Sequence, residues 1–279
     1  MTGANSGIGR AAATALAEKG ARVVLAVRNT DKGNAAAADM SGETEVRQLD
    51  LASLASIRAF ADAWEGPIDL LINNAGIMVP PYSHTEDGCE MQFGTNHLGH
   101  FALTNLLLEH VTGRVVTVAS GAHRFGSIDF NDLNWERKPY KPWAAYGQSK
   151  LANLLFTAEL QRRLTEAGSD VLANAAHPGY AATNLQFHSQ RRALDIISLI
   201  GNRVIAQDEN GGALPTLYAA VADIPGNSFA GPGFMDLRGA PKLVGRTSSA
   251  KDMDVARRLW DVSEELTGVR FPLGAKASA

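Results

Sequence analysis

Tyr146 and Lys150 stand four positions apart in Tyr146-Gly147-Gln148-Ser149-Lys150, and on a helix that spacing puts a phenol and an ammonium on one face. A free phenol has a pKa of about 10 and is no base near neutrality. A neighbouring cation favours the phenolate and brings the group toward the range of a general acid and base. The chemistry open to such a pair is proton exchange with a hydroxyl or carbonyl oxygen. The same spacing also fits an ordinary Tyr and Lys on a solvated helix, so the surroundings must separate the two readings.

The chain opens Met1-Thr2-Gly3-Ala4-Asn5-Ser6-Gly7-Ile8-Gly9-Arg10 and runs straight into an alanine-rich stretch, 11–19. Glycines at 3, 7 and 9 permit a tight turn, close approach of the backbone to a pyrophosphate, and close packing of the following helix. The phosphates would rest on free N–H groups at that helix's start, with Asn5, Ser6 and Ile8 beside the glycines. The spacing is G-x-x-x-G-x-G, not the G-x-G-x-x-G of other dinucleotide folds. Such a loop belongs at the end of a strand, and no strand precedes it here. The first strand of a doubly wound sheet is central, so the expectation is a chain shortened at its N-terminus, for example by a late start codon.

Stepping along the chain, β-branched and aliphatic runs alternate with helical patterns. Residues 22–27, 44–49, 68–72, 114–119 and 171–176 read as strands. Residues 30–40, 53–64 (capped by Ser53), 90–110 and 142–167 read as helices. This alternation predicts an α/β fold: a single domain, 1–279, with a doubly wound, mostly parallel sheet covered by helices on both faces. Segment 121–141 is too long for an ordinary connection and reads as an insertion beside the site. Segment 180–207, with an amphipathic stretch at 191–204, reads as a covering element or as a plain surface helix. The tail after Phe271 reads as loose.

Composition narrows the class. With 45% hydrophobic and 20% charged residues the chain can build an ordinary globular core. A net charge of −3 supplies no drive toward nucleic acid or anionic lipid. One cysteine, Cys89, excludes an internal disulfide and any multi-cysteine zinc site. No stretch approaches the roughly 20 apolar residues of a membrane span, and no signal peptide is apparent, so a cytoplasmic protein is expected. His97, His100 and His110 lack a partner with metal-site spacing and read as packing or surface residues; no metal is expected. His123, next to Ser120, is a candidate substrate contact.

Thr2-Gly3…Gly7-Ile8-Gly9, Asn73-Asn74-Ala75-Gly76, Tyr146-x-x-x-Lys150 and Pro178-Gly179 occur in that order. Together they resemble the short-chain dehydrogenase/reductase family over essentially the whole chain. The resemblance implies Tyr146 as acid and base, and Lys150 as the residue that binds the nicotinamide ribose and lowers the phenol pKa alongside a cationic nicotinamide. It implies Ser120 as a hydrogen-bond partner of the substrate oxygen, and Asn96, in Thr95-Asn96-His97-Leu98-Gly99, as the holder of a water-linked proton path. Ser120 and Tyr146 are about twice the usual family interval apart; the insertion absorbs the excess, and Ser120 is preferred over Ser127.

In the dinucleotide fold an acidic residue after the second strand selects NAD. Here the strand ends Ala26-Val27-Arg28-Asn29, with no carboxylate before Asp31. A carboxylate would repel a 2′-phosphate, whereas Arg28 can bind one, which favours NADP(H). The resemblance further implies Asp50 and Leu51 at the adenine, Asn74, Ala75 and Gly76 along the ribose, and Thr183 at the carboxamide or pyrophosphate.

Val27-Arg28-Asn29 with Lys32-Gly33, the long Ser–Tyr interval and Ser149-Lys150-Leu151-Ala152-Asn153 look like the retinol dehydrogenase branch, which also resembles protochlorophyllide reductases. The leading expectation is an NADP(H)-dependent oxidoreductase of a lipophilic ketone, aldehyde or alcohol. The alternatives are a ring double-bond reductase of the protochlorophyllide type, and a non-catalytic cofactor-binding regulator or inactive fragment. Helices 90–110 and 142–167 could form a homodimer seam or pack on the sheet.

Overall fold

Runs of Val, Ile, Leu and Ala without polar alternation cannot face water on either side, and they form the buried strands of a mostly parallel sheet. The computed structural model describes residues 1–179 and 208–274. Its parallel strands are β1 (Val23–Val27), β2 (Thr44–Gln48), β3 (Ile68–Asn73), β4 (Val111–Val118) and β5 (Leu172–Ala176). β6 (Phe229–Phe234) follows β5 in parallel, and β7 (Arg238–Leu243) closes the edge antiparallel to it. These last two are missing from the sequence expectation because glycine and proline replace β-branched residues in both.

β1 and β2 form one ribbon, and β3-β4-β5-β6-β7 the other. Residues 1–3 join the two: Thr2 N donates to Ile72 O at 3.0 Å, and Gly3 N donates to Ala26 O at 2.9 Å. The expected doubly wound order is thus present, with residues 1–3 at the place of the first, central strand.

Helices α1 (Gly7–Glu18), α2 (Thr30–Ala38) and α7 (Glu209–Val221) lie on one face. On the other lie α3 (Leu54–Asp62), α5 (Gly99–Leu107), α6 (Pro142–Glu166) and α8 (Met253–Thr267), around Phe101, Phe156 and Trp260. Trp260 stacks on Phe156 at 5.7 Å, so α8, another element missed in the sequence, completes this half of the core. Pro142 opens α6, where its missing N–H costs nothing. Asn29 caps α2 by accepting the Lys32 N–H.

The helix expected over 90–110 departs from regularity. α4 (Met91–Phe93) passes into a π-helical turn, Gly94–Leu98, before α5 begins. Both flanking glycines are there for close approach: a Cβ at Gly94 would meet Thr85 at 2.4 Å, and one at Gly99 would meet Leu51 O at 2.4 Å. Segment 180–207, expected to cover the site, lies outside the described residues, and Thr183 with it.

Candidate active site

β4 ends at Val118 and delivers Ser120 to the C-terminal edge of the sheet, where ligands of such folds bind. Ser120 is extended, and its Oγ accepts the Ala122 N–H at 3.2 Å, capping a short turn over Gly121–Phe125. The Tyr146 phenol, which α6 brings in from further along the chain, comes close enough to the Ser120 hydroxyl for that group to favour its ionised form. Ser127, by contrast, is exposed on the insertion.

Tyr146 and Lys150 are both buried on α6. Lys150 Nζ lies 5.6 Å from the centre of the Tyr146 ring and donates to Val118 O at 3.1 Å. Burial pushes the phenol up to about 12, opposed by the Ser120 hydrogen bond. Burial also pushes the amine down to about 8. In the pair alone desolvation sets the phenol; a cationic nicotinamide, the other partner expected from the resemblance, would act in the opposite direction.

Asn96 sits within the π turn, a backbone feature common at functional sites. Its Oδ1 accepts the Ile77 N–H at 2.8 Å, and its Nδ2 donates to Ile77 O at 2.9 Å and to Ser149 Oγ at 3.0 Å. Ser149 in turn donates to Tyr146 O at 2.8 Å. A Cβ at Gly76 would lie 3.2 Å from Asn96 Oδ1 and 3.4 Å from Lys150 Nζ, so the Asn74-Ala75-Gly76 turn runs directly along both. Ser120, Tyr146, Lys150, Asn96 and Gly76 form one cluster.

The glycine loop joins it through Thr2. Thr2 Oγ1 accepts the N–H groups of Asn74 and Ala75, each at 2.9 Å, while Asn74 Nδ2 donates to Thr2 O at 2.9 Å. Gly3 and Gly7 have φ of 63° and 56°, a region that favours glycine. A Cβ at Gly9 would fall 2.2 Å from Gly3 O, so α1 packs directly on the loop.

These residues fit a dinucleotide. Ser6 precedes α1 without capping it by its side chain, and the first turn holds no acidic residue, so the helix start presents N–H groups to an anion. Arg28 is exposed just past the end of β1. Asp50 Oδ1 accepts the Ala52 N–H at 2.9 Å and Leu51 is buried, so both serve the loop after β2. Asn29 is occupied as a helix cap. Gly179 follows Pro178 with φ 72° and is pressed against Leu237 O, which a Cβ would meet at 2.4 Å.

Several residues were missed by sequence reasoning or were read as packing. Glu90, Gln92 and Tyr140 anchor the insertion: Tyr140 Oη donates to Glu90 Oε1 at 2.9 Å, and Gln92 Nε2 donates to Pro142 O at 2.9 Å. His123, expected as a candidate substrate contact, is buried with its Nδ1 2.7 Å from Ser120 O, so it steadies the serine backbone. His100 contacts Thr2, and His97 packs on Phe93 at 5.1 Å. Cys89 is buried and its thiol is pushed up, first by burial, which makes it a poor nucleophile. Among the described residues no helix is long and apolar enough to cross a membrane.

Comparison with known proteins agrees with this geometry. The family model described as short chain dehydrogenase matches residues 1–193. The chain is 45% identical to retinol dehydrogenase 13 of Homo sapiens, over 98% of this chain and 85% of that protein. It is 41% identical to retinol dehydrogenase 14 of Mus musculus, over 96% and 85% of the two. Among solved structures, an uncharacterized protein from Mycobacterium Paratuberculosis is 56% identical, with a TM-score of 0.85 over 98% of this chain and 93% of that one. A crystal structure of an actinorhodin polyketide ketoreductase with NADPH is 25% identical, with a TM-score of 0.60 over 79% and 88%.

Proposed function

The chain belongs to the short-chain dehydrogenase family and is retinol dehydrogenase-like, and on that premise we propose that it is an NADP(H)-dependent oxidoreductase of lipophilic ketones, aldehydes or alcohols. One observation carries the reading: Tyr146 and Lys150 are buried together, the amine 5.6 Å from the ring centre, beside Ser120 at the sheet edge. When bound, the nicotinamide supplies or accepts the hydride, and its oxidised ring supplies the positive charge that the tyrosine and lysine alone lack.

The chain's own residues do the rest. Arg28 receives the 2′-phosphate with a charge-assisted contact. The start of α1 receives the pyrophosphate, and the Asn74-Ala75-Gly76 turn bears the ribose against Lys150. Ser120 Oγ holds the substrate oxygen, and Tyr146 Oη gives it a proton in reduction or takes one in oxidation. Asn96 keeps the tyrosine turn in place through Ser149.

A lipophilic substrate is supported by the retinol dehydrogenase relatives. It is also supported by two exposed aromatic rings beside the tyrosine: Phe125, packed against Gly147, and Trp143, edge-on to Tyr146 at 6.3 Å.

The test is a panel of apolar carbonyls and alcohols with NADPH or NADP, alongside Tyr146→Phe. The variant is expected to lose about 10²- to 10⁴-fold in turnover while keeping its dinucleotide affinity. Unchanged turnover in the variant would remove Tyr146 from its role.

A further inference from the structure

His100 is 1% exposed and makes two contacts that reach opposite sides of the site. Its Nδ1 lies 3.0 Å from the main-chain oxygen of Asn96, and its Nε2 lies 2.9 Å from Thr2 Oγ1. A carbonyl can only accept, so Nδ1 carries the proton. Thr2 Oγ1 already accepts two N–H groups, from Asn74 and Ala75. Both lone pairs are used, so the hydroxyl can only donate; its proton faces His100 Nε2 at 2.9 Å and, more distantly, Ile72 O at 3.5 Å. Nε2 is therefore the acceptor.

The two ends assign the same tautomer independently: a neutral imidazole with its proton on Nδ1. An imidazolium would aim a second N–H at an oxygen with no lone pair free. Burial, and with it the Lys150 charge, holds the ring down to about 4 against the pull of the Asn96 carbonyl, so it stays neutral. His97, three residues earlier, makes no such bridge; its Nε2 meets Ser263 Oγ on α8.

Hydrogen bonds run from Asn74 and Ala75 to the main chain of Asn96, and that residue's side chain makes a second set. Asn74 and Ala75 donate to Thr2, Thr2 to His100, and His100 to Asn96, whose side chain clamps Ile77 and Ser149. We propose that His100 is a positioning residue that transmits occupancy of the glycine loop to Asn96, and through it to the Tyr146 turn of α6. This rests on the reading that the loop takes a dinucleotide. It gives the neutral imidazole a task separate from proton transfer: ordering the tyrosine turn only when the reductant or oxidant is in place.

The two arms can be cut separately. His100→Gln places an acceptor at the reach of Nε2 and keeps the Thr2 arm, while His100→Asn places a donor at the reach of Nδ1 and keeps the Asn96 arm. The readout is hydrogen exchange of the amides at 94–98 and 146–150, without and with saturating NADPH. In the unmodified protein NADPH is expected to raise protection at 94–98 by about tenfold. In both variants NADPH is expected to bind within about threefold of normal, with that gain in protection lost.

Nitrogen-15 shifts of the His100 ring in the unmodified protein supply a second measurement, should a variant fail to fold; they are expected to report Nδ1–H. An Nε2–H tautomer overturns the proposal. So does NADPH binding that leaves exchange at 94–98 unchanged, or that protects it equally in both variants; the dehydrogenase reading survives either result. Failure of the unmodified protein to bind NADPH and NADH at all overturns both.

Discussion

The amine of Lys150 stands 5.6 Å from the centre of the Tyr146 ring, yet it gives its hydrogen bond to the main-chain oxygen of Val118. That oxygen is also served by Asn153 Nδ2, at 3.1 Å. Lys150 is thus a buried charge whose local partner does not depend on it.

Replacing it separates stability from function. The amine is pushed down to about 8 from an ordinary 10.5. A buried group with a lowered lysine pKa costs stability when protonated, fully below the folded value and fading as pH rises toward the unfolded one. Lys150→Met is therefore expected to stabilise the protein at pH 7 by up to about 3 kcal/mol, and by much less at pH 10. Turnover should fall by at least about 10²-fold. Denaturant unfolding at the two pH values checks it; an equal gain at both contradicts the buried-charge argument.

Arg28 carries the choice of dinucleotide. Removing a charged hydrogen-bond partner costs about 1.5–3 kcal/mol. Arg28→Ala should thus weaken NADPH by about 10- to 100-fold and leave NADH nearly unaffected. Titrations of nicotinamide fluorescence with both dinucleotides decide, and equal losses for the two would assign the arginine to some other task.

Acid should weaken the fold through buried imidazoles. Burial holds His97 at about 3, while His100 and His177 stand at about 4. Each lies below the ordinary 6.5, so the folded state resists protonation and stability falls as pH drops from about 6.5 toward 4. His97 lies among Phe93, Phe101 and Phe156, and Ser263, its partner, already donates to Leu259 O. His97→Phe keeps the ring and strands no donor. The stability lost between pH 7 and pH 4 should shrink by about 3 kcal/mol in this variant. An unchanged acid limb in its thermal melts would contradict this.

Two glycines near the site should respond in opposite ways to a methyl group. A Cβ at Gly9 would overlap Gly3 O at 2.2 Å and Asn74 Nδ2 at 2.5 Å, whereas one at Gly121 would meet nothing within 4 Å. Gly9→Ala is expected to cost at least about 2 kcal/mol and to abolish NADPH binding. Gly121→Ala should stay within about 0.5 kcal/mol of the parent. Melting and fluorescence titration of the pair settle whether the loop packs this tightly.

Much of this site was legible along the chain. Tyr146 and Lys150 are four residues apart on one helix, and glycines 3, 7 and 9 precede another, so local spacing alone brings each set together. Strands β1, β3, β4 and β5 were legible through their buried aliphatic residues, whereas β2, with Glu45 and Arg47 flanking Val46, is only half-buried. β6 and β7 were not: Gly231, Pro232 and Gly233 in one, and Arg238, Gly239 and Pro241 in the other, look like turn residues. Helices α7 and α8 went unread as well. Pro215 and two adjacent glycines blur the first, and the second declares itself only through Trp260, whose partners lie on α5 and α6.

The sequence by itself determined the family, the order of the main elements, and the residue types that carry acid–base and phosphate chemistry. Each of these is a matter of local spacing or of continuous hydrophobicity. Tertiary structure alone decided that Ser120 comes beside Tyr146, that burial raises the phenol, and that Thr2 and His100, 98 residues apart, share a hydrogen bond. Those outcomes depend on desolvation and on which loops the closed sheet brings together. Both arise only once strands far apart in the chain have paired.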